Sequence, residues 1–310
     1  MDEPISVDDL LAQLLDISNP LSAIDLPLLD AHGATLAADI YAGERLVLRS
    51  GSRIRSTQIG LAASIGLNHL PTMPHPRVVV LSAGDDLVEP GQKLATEEDE
   101  FETNSWMLTT AVKEAGATAF RVHMIPENHQ ELREVIEDQL VRADLIVISG
   151  ESHDESFELI TSVLRELIEE EATGQITTVQ PKMSDTGRVA YGLIGPDKTP
   201  VITLPGDPVV AYVMAEIFVR PMIRTMLGAK NIVRNKMKAT LTNDAPSKSG
   251  ERAFIRATLN SKGGVSATVL PDQNDLTSLS DANGLIIVGE SSSGFKAGDL
   301  VDVLVLDRNS

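Results

Sequence analysis

The middle of the chain alternates between two patterns of hydrophobic and polar positions. Short runs that are almost entirely apolar are each followed by a longer stretch in which apolar residues recur at helical spacing. Apolar runs of this kind are typical of strands buried on both faces, and helices between successive strands favour a parallel sheet. The pattern therefore predicts an α/β domain with strands at RVVVLS, TAFRVHMI, DLIVIS and TPVITL and helices at residues 103–115, 130–143, 157–169 and 209–227.

The flanking segments follow other patterns. Ser6 and Asp9 mark a helix start, the leucines that follow them are at helical spacing, and a second short helix is predicted at residues 57–65. After Gly228, short alternating runs separated by Gly, Pro, Asn and Ser predict a small all-β domain, a barrel or a sandwich. The resulting division is residues 1–73, 74–229 and 230–310, with too few apolar runs in the first part for a core of its own.

Charge and composition narrow the function classes. The chain has 26 basic and 45 acidic residues, a net charge of −19, which argues against binding nucleic acid or anchoring at a membrane through a basic patch. It has no cysteine, so disulfides, thiolate catalysis and cysteine-based metal sites are excluded. The first residues do not resemble a signal peptide, and no apolar run approaches the ~18 residues of a membrane span. We expect a cytoplasmic protein without membrane insertion.

Three loops follow predicted parallel strands, at the sheet edge where such folds bind ligands: SAGDDL at 82–87, SGESHDE at 149–155 and LPGDPVV at 204–210. Free N–H groups at the helix starts behind these loops suit phosphate or another anion, and Asn104 opens a fourth helix. Two alternatives remain open here. His153 and its neighbouring carboxylates could bind a metal or could be a solvated loop. Asp85 and Asp86 could hold Mg²⁺ or could cap a turn.

Two apolar features belong to predicted helices. Trp106 is the only tryptophan, and we expect it in the core. The stripe MAEIFVRPMIRTM favours helix packing or a dimer surface, with a binding groove as the alternative.

The order and spacing of these segments match a known family. LSAGDDLVEPGQ, ETNSWML, VISGESHDESFELI and TLPGDPVVAYVMAEIFVRPMIRTMLG resemble segments of the molybdopterin molybdotransferase family, which comprises bacterial MoeA and the E domain of gephyrin. ISVDDLLAQLLDI resembles the elongated N-terminal helical segment of that family, and GERAFIRATL and GDLVDVLVL resemble its C-terminal β-barrel-like domain. The resemblance covers nearly the whole chain.

The resemblance implies a homodimer, with residues 1–73 as the dimerising segment and the central domain binding adenylylated molybdopterin. Molybdate is then inserted into the dithiolene with release of AMP, in the presence of Mg²⁺. The matching positions imply Asp85 and Glu158 as catalytic residues and metal ligands. The implied cofactor-binding residues are Gly84, Asp86, Asn104, Gly150, Glu151, Ser152, Gly206 and Asp207.

The chain departs from the family pattern in these same loops. Glu151, Ser152 and His153 replace a glycine, a valine and a serine, and Asp207 replaces an asparagine. QPKMSDTGR stands where the family has a PGKP lysine, and the QGSG segment is shortened to Gln273-Asn274-Asp275. The lid-like domain that the family carries after residue 42 is missing.

Two hypotheses follow. Since the departures add negative charge to a phosphate site, we favour a homodimeric scaffold with a degraded substrate site and no cofactor. By analogy with gephyrin, it would bind a short peptide of a partner protein, such as a filament or cell-division protein. The alternative is an active molybdopterin molybdotransferase that uses Mg²⁺ and molybdopterin.

Overall fold

The computed structural model describes residues 4–84, 86–97, 99–122, 128–150, 154–171, 174–261 and 264–306 of the chain. A mostly parallel seven-stranded sheet in the middle of the chain is followed by a closed five-stranded barrel. Both parts confirm the predicted architecture. The first elements are β1 (Pro4–Ile5), α1 (Val7–Asp16), β2 (Ile24–Pro27), β3 (Thr35–Leu36), β4 (Ile40–Ala42), β5 (Arg45–Leu48), α2 (Ser56–Ser64) and β6 (His69–Met73).

The central domain contains β7 (Arg77–Ser82), β8 (Leu87–Val88), β9 (Glu100–Phe101), α3 (Asn104–Ala115), β10 (Thr118–Arg121), α4 (His129–Leu140), β11 (Leu145–Ser149), α5 (Asp154–Glu171), β12 (Gln175–Pro181), β13 (Val189–Ile194), β14 (Thr199–Leu204), α6 (Pro208–Met214) and α7 (Arg220–Met226). The seven-stranded sheet has the strand order β1-β12-β13-β14-β11-β7-β10, and among its described strands β13 alone runs antiparallel to its neighbours. The predicted alternation of strands and helices is confirmed. The hairpin of β12 and β13 was not predicted.

Alternate residues of each central strand face opposite cores, which is why these strands are apolar throughout. Val78 and Val80 of β7 pack with α1, α3, α6 and α7 on one face, whereas Val79 and Leu81 pack with α4 and α5 on the other. One turn of π-helix, Ala215–Val219, joins α6 to α7. The methionine-rich stripe of this joined helix lies in the core: Met214, Phe218, Met222 and Met226. The stripe is therefore helix packing.

The N-terminal part differs from the prediction. Within the described residues it contains helices of 10 and 9 residues separated by short strands, and the elongated helical segment is not seen. A continuous helix cannot form between them because Pro20 and Pro27 lack the backbone N–H that a helical hydrogen bond requires. In addition, Gly33, Gly43 and Gly51 have positive φ angles, which a right-handed helix does not contain. As expected, α1 packs on the central core, through Val7, Leu10 and Leu14. The other elements share a small cluster of their own: Ala31, Leu36, Leu48, Ile54, Ala62 and Leu70.

Strands β4 and β5 form a hairpin at the position where the lid-like domain was expected to be missing. Ala42 pairs with Arg45, and Gly43, with a φ of +60°, forms the two-residue turn together with Glu44. No inserted domain separates the two strands.

The C-terminal elements are β15 (Lys236–Leu241), β16 (Ala245–Pro246), β17 (Ala253–Asn260), β18 (Ser266–Val269), α8 (Leu276–Asp281), β19 (Gly284–Val288), β20 (Gly294–Phe295) and β21 (Leu300–Val305). Strands β15, β18, β17, β19 and β21 close the barrel. Its outer residues Phe254, Leu285 and Leu304 join the core of the central domain, so the two units pack against each other. Across the described part of the chain, no helix is long and apolar enough to cross a membrane.

Candidate functional site

The loops at the carboxyl edge of the central sheet are joined through Asn104. This side chain, in the first turn of α3, is 6% exposed. Its Nδ2 donates hydrogen bonds to Ser149 Oγ (2.8 Å) and to the carbonyl oxygen of Gly206 (2.6 Å). Since a carbonyl oxygen only accepts, the amide orientation is fixed. The structure therefore brings the ends of β11 and β14 together at a residue that the sequence assigned to cofactor binding.

The oxygen of this amide, in contrast to its nitrogen, is not used. Asn104 Oδ1 is buried and has no hydrogen-bond partner among the described residues. A buried acceptor without a donor costs about 1–3 kcal/mol, so such groups are rare in folded proteins. A ligand carrying an N–H or O–H group would remove this cost.

The glycines assigned to cofactor binding lie at the same edge. Gly84 is buried behind β7, next to Ala83, whose N–H donates to the carbonyl oxygen of Ser149 (3.0 Å). A Cβ on Gly150 would lie 2.9 Å from Cδ1 of Ile160. The backbone after β11 therefore approaches α5 closely, and a side chain at this position would require Ile160 to move.

Two aspartates assigned to binding have structural contacts in this structure. Asp207 is the N-cap of α6: its Oδ1 accepts a hydrogen bond from the Val210 N–H (2.9 Å), and Pro208 occupies the first turn. Asp86 is exposed, and its carbonyl oxygen accepts from the Glu100 N–H (2.9 Å), next to the pair β8–β9.

Glu158, assigned as a catalytic residue and metal ligand, forms an ion pair. Its Oε1 lies 2.5 Å from Nη1 of Arg188, whose guanidinium stacks over the ring of Phe157 at 4.4 Å. The remaining assigned residues, Asp85, Glu151 and Ser152, lie outside the described residues, as does His153. Within the described ranges, no group of three or more His, Asp or Glu side chains is placed to hold a metal ion.

A cavity of about 540 Å³ lies between the central domain and the barrel, beside Asp185. Its walls are mostly apolar and come from both units: Met183, Val210, Val213, Phe254, Arg256 and Gln273. The volume falls within the roughly 300–1,000 Å³ of small-molecule pockets, which combine apolar walls with few polar groups.

Arg256 supplies the buried positive charge of this cavity. It is 8% exposed, and its Nε has no hydrogen-bond partner within the described chain. Burial lowers the pKa of its guanidinium, and the carboxylates of Asp185 and Asp207 partly offset this effect. A buried guanidinium with an unused N–H group is chemically suited to an oxyanion.

Gln273 holds the backbone of Arg256 in place. Its Oε1 accepts from the Arg256 N–H (2.8 Å), and its Nε2 donates to the carbonyl oxygens of Arg256 (3.2 Å) and Leu270 (2.7 Å). The first residue of the shortened segment Gln273-Asn274-Asp275 thus anchors the cavity wall.

A second polar network fixes the first turn of α3. The buried carboxylate of Glu102 accepts from the N–H (2.7 Å) and Oγ (2.6 Å) of Ser105, and it pairs with Arg121 Nη2 (3.2 Å). Arg121 also pairs with Glu89 and lies 4.2 Å from the ring centroid of Trp106. Trp106 is 51% exposed, so the expectation of a core tryptophan was wrong. The buried apolar residues of α3, among them Leu108 and Val112, lie on the opposite side of the helix from Trp106.

Sequence reasoning missed Arg256, Glu102 and Arg121. For Arg256 a signal existed. In RAFIRATL the residues Arg252, Phe254 and Arg256 alternate with Ala253, Ile255 and Ala257, and the latter set forms the barrel core. Strand alternation therefore places Arg256 on the outer face, toward whatever covers the barrel. The sequence around Glu102 and Arg121 shows no comparable alternation, so it does not indicate that these two residues pair.

Comparisons with known proteins identify both the central domain and the C-terminal barrel. Residues 79–225 match the probable molybdopterin binding domain, and residues 238–306 match the MoeA C-terminal region, domain IV. Molybdopterin molybdenumtransferase 2 of Mycobacterium tuberculosis is 33% identical over 274 residues, which cover 86% of this chain and 65% of that protein. Molybdopterin molybdenumtransferase 1 of the same organism is 29% identical over 286 residues, covering 87% and 64%. The chain thus spans less than two thirds of the length of these relatives.

Solved structures show the same fold. A molybdopterin biosynthesis MoeA protein from Pyrococcus horikoshii OT3 superimposes with a TM-score of 0.79 at 18% identity, covering 98% of this chain and all of that one. A molybdenum cofactor biosynthesis protein from Pyrococcus furiosus gives a TM-score of 0.76 at 21% identity, covering 98% of this chain and all of that one. With both domain matches in the expected order, the chain belongs to the MoeA family of molybdenum cofactor biosynthesis proteins.

Proposed function

We propose that the chain binds a phosphorylated molybdopterin species in the cavity that contains Arg256 and acts as a molybdopterin molybdenumtransferase. This is the activity named for the curated relatives from Mycobacterium tuberculosis. It is the alternative of the two hypotheses raised by the sequence, and the chemistry of the buried polar groups supports it better than it supports a scaffold.

The single observation that carries the proposal is the unused donor of Arg256. A buried guanidinium is costly unless an anion accompanies it, because its charge has been removed from water. Asp185 and Asp207 interact with it only through their fields, and neither accepts a hydrogen bond from its Nε. An oxyanion of the substrate, a phosphate or molybdate, would accept that hydrogen bond.

The loops at the carboxyl edge of the central sheet support the same class of ligand. Asn104 Oδ1 is an acceptor without a donor, and pterin and ribose groups carry N–H and O–H donors. The apolar wall formed by Val210, Val213 and Phe254 suits a flat ring. A ligand that combines an anion, a ring and hydrogen-bond donors meets all three requirements.

These residues bind and orient the substrate. Arg256 holds an oxyanion in a cavity where the effective dielectric constant is low, so that its field acts strongly on developing negative charge. Gln273 keeps the Arg256 backbone fixed, and Asn104 ties the loops after β11 and β14 together.

The scaffold hypothesis rested on three departures from the family pattern: Glu151 in place of a glycine, the absence of the PGKP lysine, and Asp207 in place of an asparagine. Of these positions, Glu151 lies outside the described residues. Homodimerisation and binding of a partner peptide stay predictions, and no feature of the described chain favours a particular partner.

The proposal is tested by binding and by genetic rescue. In titration calorimetry, we expect the purified chain to bind AMP and molybdate, and to bind molybdopterin-AMP more tightly than either. We also expect the gene to restore molybdoenzyme activity to a strain that lacks its molybdopterin molybdenumtransferase. No binding heat at millimolar AMP and molybdate, together with no rescue by well-expressed protein, would remove the proposal and leave the scaffold hypothesis.

A further inference from the structure

Arg252 joins three parts of the molecule through its side chain. Its Nη1 and Nη2 lie 2.6 and 2.7 Å from the two carboxylate oxygens of Asp8, in the first turn of α1. Its Nη2 also lies 3.0 Å from the carboxylate of Glu290, just after β19 of the barrel. A two-pronged contact between a guanidinium and a carboxylate fixes orientation as well as distance.

The backbone of the same residue crosses between the two domains. The Arg252 N–H donates to the carbonyl oxygen of Lys182 (2.8 Å), and the carbonyl oxygen of Arg252 accepts from the Ser184 N–H (3.0 Å). The Lys182 N–H in turn donates to the carbonyl oxygen of Ile5 (2.7 Å). The edge of the central sheet, the N-terminal strand and the start of β17 are therefore connected in one ladder.

This ladder forms one end of the cavity that contains Arg256. Met183 and Asp185 line the cavity from the central domain, and Met183 is the bridge partner of Arg252. Arg252 and Arg256 lie on the same outer face of one strand, four residues and roughly 13 Å apart at ~3.3 Å per residue. The register at Arg252 consequently sets where Arg256 stands relative to Asp185 on the opposite wall.

We propose that Arg252, held by Asp8, is a positioning residue that sets the spacing between the two walls of the cavity and hence the affinity of Arg256 for an oxyanion. The inference rests on the proposed function, because it concerns the same cavity. Arg252 acts through the backbone and does not touch the ligand.

The exposure of the two side chains indicates that the Asp8–Arg252 ion pair contributes little to the stability of the whole fold. The Asp8 side chain is 73% exposed, whereas that of Arg252 is 19% exposed. Exposed ion pairs add little to the free energy of folding. Loss of this pair should therefore loosen the cavity wall while leaving the global fold nearly as stable as before.

The experiment uses the full chain and titration calorimetry with molybdate and with AMP. Asp8→Asn removes the charge and keeps the shape, Arg252→Lys keeps the charge and loses the fork, and Asp16→Asn is the matched control on the same helix, where Asp16 is exposed. We expect each of the first two variants to weaken oxyanion affinity about tenfold, and the double variant to weaken it no further, since both changes break the two-pronged contact between Arg252 and Asp8. The control should bind like the wild type.

Two further readouts separate positioning from a structural defect. The urea unfolding midpoint of Asp8→Asn should stay close to that of the wild type. Hydrogen exchange of the Arg252 and Ser184 amides should be faster in Asp8→Asn than in the control. Affinities equal to that of the control, or additive losses in the double variant, would overturn the inference. Absence of oxyanion binding by the wild type and the Asp16→Asn control would instead overturn the proposed function, on which the inference depends.

Discussion

Replacement of Arg256 by methionine should separate folding from binding. Methionine has an unbranched chain that can fill the space of the arginine stem without its charge. Arg256 is 8% exposed and its Nε lacks a partner within the described chain, so the unliganded protein carries a cost that the substitution removes. The same substitution takes away the donor that we propose for the oxyanion.

We expect Arg256→Met to have opposite effects on the free energy of unfolding and on the affinity for the oxyanion. A buried unpaired donor costs about 1–3 kcal/mol, so Arg256→Met should leave the free energy of unfolding unchanged or raise it by about 1 kcal/mol after some loss of packing. A hydrogen bond to a charged group contributes about 1.5–3 kcal/mol to binding, which corresponds to a loss of roughly 10- to 150-fold in affinity. A variant that is at least as stable and binds more weakly is the expected outcome.

The assay combines urea denaturation, followed by circular dichroism, with calorimetric titration of AMP and molybdate. Lys238→Met is the control, because Lys238 lies on the barrel with its side chain 60% exposed and pairs with Asp302. The control should change neither quantity appreciably. A variant of Arg256 that is destabilised by more than about 2 kcal/mol yet binds AMP and molybdate normally would refute the reasoning, since Arg256 would then be a structural residue with a partner.

Three further predictions concern the rest of the fold. Glu216→Gln removes the counter-charge of Arg234, whose Nε and Nη2 lie 2.6 and 2.8 Å from the buried carboxylate, so we expect a loss of about 3–5 kcal/mol in urea unfolding. Gly192→Ala would place a Cβ 1.8 Å from a backbone oxygen of the adjacent strand, whereas a Cβ on Gly187 meets no atom within 4 Å. We therefore expect insoluble protein from the first and normal yield from Gly187→Ala, and equal yields would contradict this. Burial raises the pKa of Tyr212 to about 12. Because the folded pKa lies above the unfolded value near 10, this group stabilises the fold fully below pH ~10 and the contribution is lost toward pH 12, which tyrosinate absorbance and unfolding at stepped pH can follow.

The central fold was predictable because its strands are buried on both faces. Arg77–Ser82 and Leu145–Ser149 are apolar almost throughout, and each is followed by a helix, so pattern and structure agree. The hairpin of Gln175–Pro181 and Val189–Ile194 was missed because its first strand is largely half-buried and carries threonine and glutamine. Half-buried strands of this kind have no continuous apolar run to reveal them.

For the candidate site, the sequence predicted which loops lie together. The loops after β11 and β14 were expected to meet because parallel strands end at one edge, and Asn104 joins them. Arg256 lies in another domain, about 50 residues further along the chain than Gly206. That its Nε lacks a partner depends on how the barrel packs against the central domain, and a one-dimensional pattern does not contain that information.

The charge argument made from the sequence also has a physical limit. A net charge of −19 and acidic substitutions near the loops favoured loss of a phosphate ligand. Exposed charges, however, are screened beyond about 8–10 Å at physiological ionic strength, whereas a charge in a mostly apolar cavity is screened much less. A buried guanidinium therefore acts on a nearby ligand more strongly than a distant surface carboxylate does, even in a strongly acidic protein. Whether this chain keeps an anion depends on Arg256 and its immediate neighbours Asp185 and Asp207, and much less on the other acidic side chains spread over the surface.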